Sequence, residues 1–65
     1  MKVWLYDEYY VVENDLSDLY KYIVLDKKTD EILLRIVIKS DEQQKKILYQ
    51  LNNHLDIFEE NDFRE

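Results

Sequence analysis

Residues 31–43 read Glu31-Ile32-Leu33-Leu34-Arg35-Ile36-Val37-Ile38-Lys39-Ser40-Asp41-Glu42-Gln43, and two periodicities meet inside that stretch. Ile32, Leu34, Ile36 and Ile38 alternate with Leu33, Arg35, Val37 and Lys39. A period of two is that of a strand with one face inward, and the first set is the more uniformly apolar. At Ser40 the alternation stops. Ser40-Asp41-Glu42-Gln43 has the form of a capping box, with Ser40 as N-cap and Gln43 at the third helical position. Asp41 and Glu42 sit where the helix dipole favours negative charge, and each has a lysine four residues on, Lys45 and Lys46. Ile47, Leu48, Leu51, Leu55 and Phe58 then follow at helical spacing, with Tyr49 and Ile57 off the stripe. The spacing predicts a helix over about 41–59, laid across the Ile32/Leu34/Ile36/Ile38 face.

Working back from this junction, Asp26-Lys27-Lys28-Thr29-Asp30 is a polar interval between two β-rich runs, 19–25 and 31–39, and reads as a hairpin loop. Val3 to Tyr6 and Tyr9 to Val12 are two further strand-like pieces around Asp7-Glu8. They fit one bulged strand or a tight hairpin. Residues 14–18 read as a turn or one short helical turn, and 60–65 as a frayed acidic tail. The fold class expected is α+β: a three- or four-stranded antiparallel meander with one C-terminal helix on one face, in a single small domain spanning 1–65.

Composition limits what such a domain can do. The chain has 65 residues, 46% of them apolar, a net charge of −6, and neither Gly, Pro nor Cys. A chain this short without disulfides sits near the lower limit for an independent core, and pairing with a second copy is one route to more buried surface. Without Gly, any positive φ falls to Asn or Asp, and neither a phosphate-binding P-loop nor a dinucleotide fingerprint is available. The lack of residues with G+C-rich codons points to an A+T-rich genome, such as that of a low-G+C bacterium or one of its phages. No signal peptide or membrane-length apolar run is present, so the expected location is the cytoplasm.

The inventory of reactive groups argues against catalysis. Ser40 is used as a helix cap, and Ser17 lies outside any nucleophile-elbow context. His54 is the single histidine. On a helix, His54, Asp56 and Glu59 point to different sides, which is no metal-ligand spacing. No cofactor and no metal is expected, and the chain reads as a non-enzymatic binding protein.

Two surfaces stand out. Residues 1–20 and 47–65 each carry a net charge of −4, so the excess acid lies in the two chain ends. If the ends meet in the fold, Asp7, Glu8, Glu13, Asp15, Asp18, Asp56, Glu59, Glu60 and Asp62, with Tyr9 and Tyr10, form a negative face. Such a face would compete with nucleic acid for a basic groove and weaken with salt. The same charge argues against direct nucleic-acid binding. In size, acidity and composition the chain resembles small phage-encoded proteins that disable host machinery, including anti-CRISPR and anti-restriction proteins. That resemblance implies a DNA-mimic-like inhibitor or modulator of a basic, nucleic-acid-handling host protein.

The second surface is aromatic. With one helix covering one face of the sheet, Tyr20, Tyr22, Val24, Leu33 and Val37 are expected on the uncovered side. They would serve a homo-oligomeric adaptor or antitoxin-like protein, which could also use a strand edge.

Overall fold

The computed structural model describes residues 2–14 and 21–58. Four strands, β1 (Val3–Leu5), β2 (Tyr9–Glu13), β3 (Tyr22–Asp26) and β4 (Ile32–Ile36), form one antiparallel sheet in the order β1-β2-β3-β4. A single helix, α1 (Asp41–Asn52), follows. Residues 3–12 are therefore a hairpin, with Asp7-Glu8 as a two-residue link. The Tyr6 N–H donates to the Tyr9 carbonyl at 2.9 Å, and the Tyr6 carbonyl accepts from the Lys27 ammonium at 3.0 Å. Neither Asp7 nor Glu8 has a positive φ. The link is thus not one of the primed turns that match strand twist, in keeping with pairing over three residue pairs only.

The β3–β4 loop uses Asp residues where Gly is missing. The Asp26 carboxylate accepts from the Lys28 and Thr29 amides at 2.8 and 3.1 Å, which holds its pKa below the usual carboxylate value. Asp30 takes φ 60°, a left-handed conformation that Asp tolerates better than most residues.

α1 begins as its local signals dictate. Ser40 is extended, and its hydroxyl accepts from the Gln43 amide at 3.2 Å. The Gln43 side chain reaches back to the Lys39 amide at 2.7 Å, one residue beyond the usual capping-box partner.

The helix ends at Asn52, seven residues short of the predicted 59. Its end is a Schellman motif: the His54 amide donates to the Leu51 carbonyl at 3.2 Å and the Leu55 amide to the Gln50 carbonyl at 2.9 Å. His54 occupies the left-handed position, φ 54°, that Gly usually fills. His54→Gly is therefore expected to stabilise the fold by about 0.5–1 kcal/mol, the relief of left-handed strain less the chain entropy of Gly. Thermal unfolding should show a midpoint raised by roughly 3–6 °C, and a lowered midpoint would contradict this account of the helix end.

The early stop inverts the expected orientation of the residues beyond it. Ile57, placed outside by helical periodicity, is fully buried, whereas Leu55 and Phe58 are 37% and 41% exposed. Asp56 sets this turn by accepting from the Phe58 amide at 2.9 Å. The core is Trp4, Val11, Tyr22, Val24, Ile36, Ile47, Leu51 and Ile57, with Leu34, Ile38 and Leu48 packed against it. It lies between α1 and one face of the sheet, the face that Leu34, Ile36 and Ile38 were expected to supply.

Ile32 departs from that expectation. Val24 pairs with Leu34 but Leu25 pairs with Ile32, so Leu33 is the extra residue of a bulge. Beyond the bulge the alternation shifts, and Ile32 is 45% exposed.

Candidate functional site

Three long-range contacts bring the chain ends together. The Trp4 indole N–H donates to the Asn52 side-chain oxygen at 3.1 Å, fixing β1 to the end of α1. The Tyr6 hydroxyl donates to the Leu55 carbonyl at 2.7 Å, and the Tyr9 hydroxyl to Asp56 Oδ1 at 3.4 Å. The Tyr6 and Tyr9 rings stack with centroids 4.5 Å apart at 18°. Phe58 meets Tyr9 edge-on at 5.3 Å, and the His54 ring lies 5.7 Å from Tyr6.

Asp7 and Glu8 come from the hairpin link and Asp56 from the turn beyond α1. Together with Tyr6, Tyr9 and His54 they line a shallow depression of about 280 Å³. Burial, with the charge of Asp56 added, pushes the Tyr9 hydroxyl up to about 12 and raises that of Tyr6 as well. Both phenols are therefore neutral donors at physiological pH. Carboxylates beside aromatic faces can receive a guanidinium or ammonium group through charged hydrogen bonds and cation–π contact.

The acidic end has a basic border. Asp7 and Glu8 also line a neighbouring depression of about 340 Å³ with Asp26, Lys27 and Lys28. Lys27 is anchored there by its amide on the Glu8 carbonyl at 3.1 Å and its ammonium on the Tyr6 carbonyl.

Not all predicted site residues join this cluster. Glu13 ends β2 opposite Tyr22, about 14 Å along the strand from Tyr9 at the usual rise per residue. Tyr10 points to the other face of the sheet, where its hydroxyl donates to Asp30 Oδ1 at 2.9 Å. Its place beside the acids is thus corrected, because neighbours on a strand face opposite ways. Asp15, Asp18, Glu59, Glu60 and Asp62 lie outside the described residues. Tyr6, His54 and the lysine border were not anticipated; position Tyr6 two residues before Glu8 was the available hint.

The aromatic-face expectation needs a larger correction. Tyr22 and Val24 are fully buried in the core, because the register sets Tyr22 opposite Ile36 and Val24 opposite Leu34. Residues directly opposite in an antiparallel pair share a face. Leu33 is 49% exposed, Val37 is half-buried beyond the end of β4, and Tyr20 lies outside the described residues.

The face turned away from α1 instead carries two cross-strand rows, Val3–Val12–Ile23–Arg35 and Leu5–Tyr10–Leu25–Ile32. The signal in the sequence was the unbroken apolar run Tyr22-Ile23-Val24-Leu25, typical of a strand with apolar surroundings on both sides.

Among the described residues, no three His, Asp or Glu side chains group as a metal site, and no helix is long and apolar enough to cross a membrane. No family model matches the chain, and no curated protein or solved structure matches it either.

Proposed function

We propose that this protein is a non-enzymatic binding protein that inhibits or modulates a basic, nucleic-acid-handling host protein through its acidic end, in the manner of a DNA mimic. The observation that carries this reading is the meeting of Asp7 and Glu8 with Asp56 around the stacked Tyr6–Tyr9 pair. Segments remote in sequence supply the three acids, and the tyrosines hold them at one end of the fold. Arginine is the side chain best matched to this surface, since it can pair with a carboxylate and stack on an aromatic face together. The partner would present arginines from a groove that otherwise holds phosphates. Lys27 and Lys28 narrow the negative area, which favours a few specific contacts over a broad electrostatic mimic.

The test is capture of basic proteins from a low-G+C bacterial lysate on the immobilised chain, with duplex DNA as competitor. DNA and about 0.5 M salt are both expected to release the captured protein. The triple variant Asp7→Asn, Glu8→Gln, Asp56→Asn is expected to bind at least about tenfold more weakly. Capture that survives salt and neutralisation alike would overturn the reading.

A further inference from the structure

We draw no further inference here: the strongest candidate, the apolar sheet face turned away from α1 that carries Val3 and Leu5 of β1 and Ile32 of β4, selects no single occupant, because nothing in the structure shows what covers it.

Discussion

Trp4→Ala is expected to leave the chain largely unfolded at room temperature. Trp4 is 8% exposed, meets Tyr22 edge-on at 5.8 Å, and donates to Asn52 at 3.1 Å. One side chain thus joins β1, β3 and the end of α1. Truncating a buried Trp costs about 3–5 kcal/mol. A chain of this size without disulfides rarely holds more than about 3–5 kcal/mol in total. The loss therefore matches the whole stability. Far-UV circular dichroism and methyl dispersion in one-dimensional NMR would report it. Trp4→Phe keeps a ring in the cavity and gives up the hydrogen bond, so a smaller loss of about 1–2 kcal/mol is expected. A Trp4→Ala protein with a midpoint within about 5 °C of the parent would contradict the packing described.

The second large effect is a contrast between neighbours. Ile57→Ala removes a fully buried side chain and is expected to cost about 3 kcal/mol, a fall of roughly 12–24 °C in the unfolding midpoint. Phe58→Ala removes a larger side chain that is 41% exposed and touches Tyr9 edge-on, so about 1 kcal/mol is expected. A helix running to 59 would reverse the order, because it puts Phe58 on the apolar stripe and Ile57 in solvent. Thermal melts of the two variants decide between the arrangements directly.

That contrast marks where the sequence was legible. The start of α1 was readable because its cause is local: Ser40 and Gln43 cap the backbone groups beside them. The pairing of β1 with β2 and of β3 with β4 followed from short polar links, Asp7-Glu8 and residues 27–31, which favour antiparallel neighbours. The inward set Leu34, Ile36 and Ile38 followed from period two, and Ile32 escaped it only through the bulge at Leu33. The helix end was obscured because no Gly marks it, and His54 bears the left-handed turn without any cue in its chemistry. The facing of β3 was hidden because Tyr22, Ile23, Val24 and Leu25 are all apolar, so either alternation suits a core. Pairing of Tyr22 with Ile36 selects one of them.

The site followed the same division. The order of residues alone placed the excess acid in 1–20 and 47–65. Local sequence also determined the elements: where α1 starts, where the β3–β4 loop lies, which part of the chain is strand. Tertiary structure decided that Asp7 and Glu8 meet Asp56, that Glu13 and Tyr10 do not join them, and that the outer sheet face is aliphatic rather than tyrosine-rich. The physical reason is range. Capping and alternation act over two to four residues and are written in the chain. The Tyr9–Asp56 contact spans 47 residues, and it exists only once Trp4, Tyr22 and Ile57 have packed into one core.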